Sequence, residues 1–260
     1  MKIISWNVNG IRAVERKEEL HSLLHKHNPD ILLLQETKAT PDKLSKALIE
    51  HPEYHQFYCS AKKPGYAGTA IWIRRDSVEN VKFSTGMPNY TDTEGRICRA
   101  DFGQWTILSV YFPNGGKSPE AWKDKLVFYK RFLEYIDALR NEGRKVVWGG
   151  DVNCAHEEID IARPKENQNS IGFLPEERAW ISEVIAHNWV DVYRYKYPDT
   201  VVYSWWHVRS GARARNVGWR IDYFFVDASL LGEVEHIEYL QNQMGSDHCP
   251  VLLEMDMEDA

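Results

Sequence analysis

The residues of this chain best suited to chemistry are acids that close apolar runs. ILLL (31–34) leads into Gln35-Glu36, VVW (146–148) into Gly149-Gly150-Asp151, Ile221 into Asp222, and Met244 lies shortly before Asp247-His248. Runs that are apolar throughout read as strands buried on both faces. A carboxylate at the end of such a strand is held at the edge of its sheet, where ligands can reach it. Four such acids from distant segments point to one convergent site for a hard divalent cation, which takes oxygen ligands.

Each motif also has a plainer use. Glu36 alone suits a surface salt bridge as well as a metal. In Gly149-Gly150-Asp151-Val152-Asn153 the paired glycines would let the backbone approach a ligand closely. Asp151 and Asn153, two apart on a strand-like segment, would share a face. The acid could take a proton or align water, and the amide could donate to an oxyanion without adding charge. The same five residues read equally well as a βα turn with an Asx cap. His248, next to Asp247, could be a phosphate-binding imidazolium or a base, and Asp222 at its own strand start could orient and charge it. Asn7, Asn9, Tyr111 and Asn114 fall at strand ends and would supply neutral donors.

The elements that must position these residues follow from periodicity. Strands are expected over residues 2–6, 31–34, 56–60, 69–74, 81–85, 96–102, 105–112, 145–148, 201–206, 221–226, 236–239 and 251–255. A helix is expected over 13–27, with Leu20, Leu23 and Leu24 apolar, and a short one after Thr40-Pro41. Ser118-Pro119 opens the clearest helix, whose stripe of Trp122, Leu126, Tyr129, Phe132, Leu133, Ile136 and Leu139 ends at Gly143. Another starts at Pro175, with Ile181, Val184 and Ile185 toward the core. No Pro/Gly/Ser-rich linker interrupts the series, so residues 1–260 are expected to form one domain. Trp6-Asn7-Val8-Asn9 and Gly150-Asp151-Val152-Asn153 echo each other, a hint of two related sheet halves.

Composition sets the remaining bounds. With 43% hydrophobic and 27% charged residues the chain reads as a soluble globular protein, expected in the cytoplasm, or at the nucleoid in a prokaryote. No signal peptide is visible and no apolar run reaches the length of a membrane span. The four cysteines have no zinc spacing and are expected as small buried thiols. A net charge of −6 means that any nucleic acid must be met by a local basic face. Residues 205–220 carry four arginines and three tryptophans. From that segment Arg209, Arg213 and Arg215 are expected to face phosphates and Trp206 to pack in the core. Lys62, Tyr66, Asn114 and Lys117 lie on smaller loops of the same character.

Taken together, SWNVNGIRA (5–13), LLLQETK (32–38), YFPNG (111–115), WGGDVNCAHEEIDIARPK (148–165), GFLPEERAW (172–180), NVGWRIDYFF (216–225) and MGSDHCPV (244–251) resemble the exonuclease III family of AP endonucleases, within the endonuclease/exonuclease/phosphatase superfamily. The likeness runs from residue 2 to about residue 254. It implies an α/β fold, a DNase I-like four-layer sandwich of two central mixed β-sheets flanked by helices. It also implies Mg²⁺-dependent DNA-repair hydrolysis 5′ to abasic sites in duplex DNA, with variable 3′-exonuclease, 3′-phosphatase and 3′-phosphodiesterase activity; Mn²⁺ would substitute. The partner is duplex DNA with abasic or 3′-blocked lesions, and a monomer without membrane attachment is expected.

By the same resemblance Glu36 would be the principal metal ligand, with Asn7, Asn9 and Asp247 around it and Asp151 and Asn153 available to a second metal position. Asp151 would align or deprotonate water, Asn153 would hold it, and His248 paired to Asp222 would contact the phosphate. Tyr111 would bind the phosphate or assist the leaving oxygen. Whether Asp151 or His248 is the base stays open at this level. Trp205, Trp219 and Ile221 would form the abasic pocket, which a bulky Trp205 should tighten. Some members carry Asp where this chain has Asn9, which favours a single tightly held Mg²⁺. An inositol-phosphate or sphingomyelin phosphodiesterase would share this chemistry, but the basic, aromatic loop speaks against it. A non-catalytic DNA-binding or redox protein would have no use for the acid and amide set.

Overall fold

The computed structural model describes residues 1–208 and 211–257. Strands β1 (Lys2–Asn7), β2 (Ile31–Gln35), β3 (Tyr54–Cys59) and β4 (Thr69–Arg74) come first in the chain. They are followed by β5 (Lys82–Thr85), β6 (Ile97–Phe102), β7 (Trp105–Tyr111), β8 (Lys145–Asp151), β9 (Trp189–Asp191), β10 (Asp222–Asp227), β11 (Val234–Tyr239) and β12 (Val251–Met255). They form two six-stranded mixed sheets, in the orders β11-β12-β1-β2-β4-β3 and β5-β6-β7-β8-β10-β9.

Alternation along single strands shows how the layers stack. In β2 all five residues are buried, yet Ile31 and Leu33 join the core between the sheets while Leu32 and Leu34 join the outer one. In β8, Val147 points inward, and Val146 and Trp148 point outward. Two-sided burial is why these runs are apolar throughout. Helices α1 (Ile11–Arg16) and α2 (Glu19–His27) cover the first sheet through Ile11, Val14, Leu20 and Leu23. Helices α4 (Pro119–Asn141) and α5 (Pro175–Ala186) cover the second. Shorter helices α3 (Lys46–Ile49) and α6 (Val192–Lys196) complete the set. The expected four layers are present. In α4, Ser118 caps the helix by accepting from the Ala121 N–H at 3.2 Å, and Phe128, Phe132 and Ile136 are fully buried. Each such side chain contributes about 2 kcal/mol by leaving water.

Parallel pairs lie at the centre of both sheets, with Asn7 level with Gln35 and Tyr111 level with Asp151. The next strands run antiparallel: β10 starts at Asp222 opposite Asp151, and β12 starts at Val251 just after His248. Strand ends and strand starts that carry chemical groups therefore meet at one edge of the sandwich. Matching β1, β2, β3, β4 with β7, β8, β9, β10 superposes both orders and every pairing sense. The halves are thus related in topology, but Asn7 then corresponds to Tyr111 rather than to Asp151. The Asn-Val-Asn and Asp-Val-Asn echo is a repeated turn, not the repeat unit.

Several boundaries differ from expectation. The helix expected over 13–27 is two helices, broken at Glu18, whose φ is 60°. Glu19 after the break is bonded by Gln243 at 2.8 Å, and Lys17 reaches the Gly245 carbonyl at 3.2 Å, so the break seats the chain against residues 243–245. The segment 201–206 is no strand; only Trp205 forms isolated bridges, to Trp219 and His248. Leu126 and Ile185, expected to face the core, are 36% and 40% exposed at the margins of their helices. Gly149 and Gly150 make room for protein rather than for ligand. A Cβ at Gly149 would come within 2.5 Å of the Phe224 ring, and one at Gly150 within 1.8 Å of the Val110 carbonyl oxygen. All four cysteines are free and buried. Among the described residues no helix is long and apolar enough to cross a membrane.

A buried ionic knot anchors β10. The fully buried Arg220 guanidinium donates to Asp160 Oδ1 at 2.8 Å and to Asp191 Oδ2 at 2.7 Å, and Arg194 reaches the same Asp160 oxygen. Burial alone would push the Asp160 carboxyl up, but the charge and hydrogen bonds of Arg220 outweigh it and hold the group at about 2.

Two predictions follow from this packing. Gly150→Ala should cost about 3 kcal/mol or more in urea unfolding, because the clash is with backbone that cannot move aside; a loss below about 1 kcal/mol would contradict it. The folded pKa of Asp160 lies below its unfolded value. Its contribution, about 2 kcal/mol, is therefore complete above pH 4 and lost as pH falls from about 4 to 2. Unfolding midpoints measured through that window should fall more steeply for the wild type than for Asp160→Asn, and parallel curves would exclude the assignment.

Candidate active site

Asn7 stands between the two central acids. Its Nδ2 donates to Glu36 Oε1 at 3.0 Å and to Asp151 Oδ2 at 2.8 Å, so one fully buried amide from β1 joins the end of its own sheet to the end of the other. Its oxygen accepts the Asn9 N–H at 3.0 Å. Just beneath, Gln35 donates to Ser5 Oγ at 3.1 Å and Ser109 Oγ at 3.0 Å, a second polar link across the sandwich. Glu36 lies past the end of β2 with φ 50°, and its other oxygen meets Lys38 Nζ at 2.8 Å. Lys38 also donates to the Asn9 side-chain oxygen.

Asp222 Oδ2 lies 2.8 Å from His248 Nδ1, and His248 Nε2 lies 3.9 Å from Asp151 Oδ2. Burial would lower the imidazole's pKa, but the charge of Asp222 and then that of Asp151 overcome it and raise it to about 10. His248 is therefore an imidazolium at neutral pH. Asp151 shifts up to about 7: burial is the main cause, opposed by His248 and reinforced by Asp222 and Glu36. Asp247 goes the other way. Burial would raise it, yet His248, Trp205 Nε1 at 3.1 Å and Asn9 Nδ2 at 2.9 Å hold it below the ordinary carboxylate range.

Asn153 arrives by a turn, not by strand alternation. Its φ is 53°, and its N–H is bonded to Asp151 Oδ1 at 2.8 Å. Asn9 makes the same turn after Asn7. The Asn153 side chain donates to the Phe112 carbonyl at 3.0 Å and accepts from Asn114 Nδ2 at 3.2 Å. Tyr111 is buried with its hydroxyl pKa raised, by burial first and then by Glu36 and Asp151, and the Arg96 guanidinium lies 4.8 Å from its ring centre.

Donor atoms of Glu36, Asp151 and His248 lie within 4.8 Å of one another, the group able to hold a metal ion among the described residues. His248 turns Nδ1 to Asp222, and the carboxylate oxygens of the group suit a hard cation such as Mg²⁺. The Asn7 and Asn9 amides both turn their NH₂ toward carboxylates, and both of their oxygens are already bonded. Their NH₂ groups space the acids, and each oxygen, with one bond accepted, keeps a second lone pair. Asp151, expected at a second metal position, falls in the same group as Glu36.

A cavity of about 480 Å³ opens on this cluster. Glu36, Asp151, Asn153 and His248 line one side, and Trp205, Trp219 and Ile221 line another. The two indoles meet edge to face at 6.0 Å, over an apolar floor of Ile161 and Phe173. Tyr66 packs beside Tyr111, and Lys117 lies over its ring at 4.0 Å and bonds its hydroxyl at 2.7 Å. Lys62, Asn114, Lys117 and Arg215 are exposed. Arg213 is not aimed outward as expected: it donates to the carbonyls of Gln241, Gln243 and Ser246 and stacks on the buried Trp206. Arg209 lies outside the described residues. Gln35, Lys38, Glu177 and Arg220 escaped the reading of single residues, although each sits inside a motif that carries the family resemblance; Lys125 also escaped it and lies in none of those motifs.

With this geometry in view, comparison with known proteins is direct. The model of the endonuclease/exonuclease/phosphatase family matches residues 4–248. An exodeoxyribonuclease of Bacillus subtilis (strain 168) is 40% identical over 97% of this chain and 98% of its own length. The DNA repair nuclease APEX1 of Danio rerio is 37% identical over 97% of this chain and 81% of its own. An AP endonuclease structure from Leishmania major superposes with TM-score 0.89 at 29% identity, covering 98% of this chain and 87% of that one. So does a Neisseria 3′ phosphatase bound to a product DNA hairpin, with TM-score 0.89 at 27% identity, covering 99% and 100%. The chain is a hydrolase, a DNA repair nuclease of the endonuclease/exonuclease/phosphatase family, and belongs with its exodeoxyribonuclease and AP-endonuclease members.

Proposed function

We propose that this nuclease hydrolyses the phosphodiester 5′ to abasic sites in duplex DNA, leaving a 3′-hydroxyl, with Mg²⁺ as cofactor, and acts on blocked or phosphorylated 3′ ends at the same site. The observation that carries the proposal is the shared cavity: the acid and imidazolium cluster opens directly on an apolar pocket made of two indoles and Ile221. A deoxyribose without its base could enter such a pocket, whereas a paired base would have to leave the stack first.

Glu36 and Asp151 would hold the cation, which when bound neutralises charge developing on the phosphate oxygens. The remaining work falls to the chain. His248, kept protonated by Asp222, donates from Nε2 to a phosphate oxygen. That same protonation leaves it unable to accept a proton, so Asp151, 3.9 Å from Nε2, is the group that takes one from water. Asn153 and Asn114 present amides beside it without adding a negative charge against the phosphate. The exposed Lys62, Lys117 and Arg215 suit backbone contacts along the duplex.

A duplex bearing one tetrahydrofuran abasic analogue should be nicked 5′ to the lesion with Mg²⁺ and left intact with EDTA. Uncut duplex in both would sink the proposal. Asp151→Asn should lower the single-turnover cleavage rate about 10²–10⁴-fold, the usual worth of a positioned base. Its affinity for the duplex should stay close to that of wild type; if binding falls in step with cleavage, the role given to Asp151 is wrong.

A further inference from the structure

Lys125 of α4 and Glu177 of α5 form an ion pair in which neither side chain has any exposed surface. Nζ meets Oε1 at 2.5 Å. Neither residue lines the cavity of the acids. Withdrawing two charges from water is costly, and the cost is recovered only when geometry is good and the remaining donors and lone pairs are also satisfied. Both conditions hold. The ammonium has three N–H bonds and three acceptors: Glu177, the Asn114 carbonyl at 3.2 Å and the Asn153 carbonyl at 3.0 Å. Glu177 Oε2 accepts the N–H of Gly172 at 2.6 Å and of Leu174 at 3.0 Å.

These backbone groups belong to three loops that end at the site. Asn114 follows β7, Asn153 follows β8, and Gly172 precedes α5. Each has a reason to need holding. Asn153 is in the left-handed region, which a non-glycine residue occupies at a cost. Asn114 reaches it only through one side-chain bond. Gly172 carries the Ala155 N–H on its carbonyl at 2.8 Å and lies so close to Trp219 that a Cβ would come within 2.9 Å of the ring. A shift of Gly172 would therefore reshape the pocket wall.

We propose that Lys125 and Glu177 are positioning residues: their ion pair holds the main chain at Asn114, Asn153 and Gly172, and so sets the spacing between the two neutral amides and the pocket wall. The proposal rests on the nuclease reading above. A tetrahedral ammonium is required, since three acceptors lie in different directions. The planar fork of Arg would not reach them together, so Lys125→Arg is not a conservative change.

The test is a mutant cycle with Lys125→Met/Glu177→Gln, which removes both charges and leaves neither unpaired. On the abasic duplex kcat should fall at least tenfold while KM changes less than threefold. Added to Asn153→Ala, the same pair should cost clearly less than it does in the wild type, because the part of its effect that passes through Asn153 is already lost. Equal fractional losses in both backgrounds would overturn the proposal. Backbone amide exchange gives a measurement independent of catalysis. The N–H groups of Asn153 and Ala155, neither bonded to the pair itself, should exchange at least tenfold faster, while Val152, bonded to the Ile221 carbonyl, should keep its rate. Unchanged exchange at Asn153 and Ala155 would also overturn it. Should the double variant fail to fold, Glu177→Gln alone, which keeps an acceptor for Gly172 and Leu174, is read by the same two measurements. A wild-type protein that left the duplex uncut would refute the nuclease reading instead, and amide exchange would still decide this one.

Discussion

Glu36 and Asp151 sit beside each other in a largely buried place, and like charges in such a place repel strongly. What lets them stay is Asn7, whose single NH₂ group donates to both. Because Asn7 and Glu36 come from one sheet and Asp151 from the other, that amide also fixes how the two sheets meet at the catalytic edge. The Gln35–Ser5–Ser109 link one layer down serves the same alignment. If one sheet slid past the other by one residue, about 3.3 Å, the Asn7 amide could no longer reach both acids.

Around this pair the charges are graded. His248 is driven to its cationic form by Asp222 and Asp151, Asp247 is held as a carboxylate, and Asp151 is left near the point where it can gain or lose a proton. Groups of similar type thus take different roles because their neighbours differ. The question of which residue accepts the proton was open from residue types alone. Asp222 at 2.8 Å from Nδ1 favours the imidazolium, and a His248 that already carries its proton has no lone pair with which to take another. The amides Asn7, Asn9 and Asn153 matter as much as the acids, because they supply donors without repelling a phosphate.

The supporting ionic groups lie deeper. Arg220 with Asp160 and Asp191 anchors the start of β10 next to Asp222, and Lys125 with Glu177 gathers three loop backbones. Both are buried, and Arg220, Asp160 and Glu177 lie in motifs that mark the family, while Asp191 and Lys125 lie outside them. Residues such as these give a motif its extent: the chemistry needs a handful of side chains, and holding them needs many more.

Local sequence was sufficient for the features that depend on local physics. Apolar runs identified the central strands, Ser118-Pro119 and Gly143 bounded the long helix, and the acids at strand ends are the ones the fold gathers at one edge. Where contacts distant in the chain competed, local pattern misled. Residues 243–245 break the first helix at Glu18, and the carbonyls of Gln241, Gln243 and Ser246 take Arg213 away from solvent. The Phe224 ring and the Val110 carbonyl, not a ligand, account for Gly149 and Gly150. The sequence by itself determined the layers, the family and the list of chemical groups, because periodicity and residue type act over a few positions. Only the tertiary structure decided which oxygen faces which donor, and hence which group holds a proton, because electrostatic coupling depends on distances between segments that the chain order does not contain.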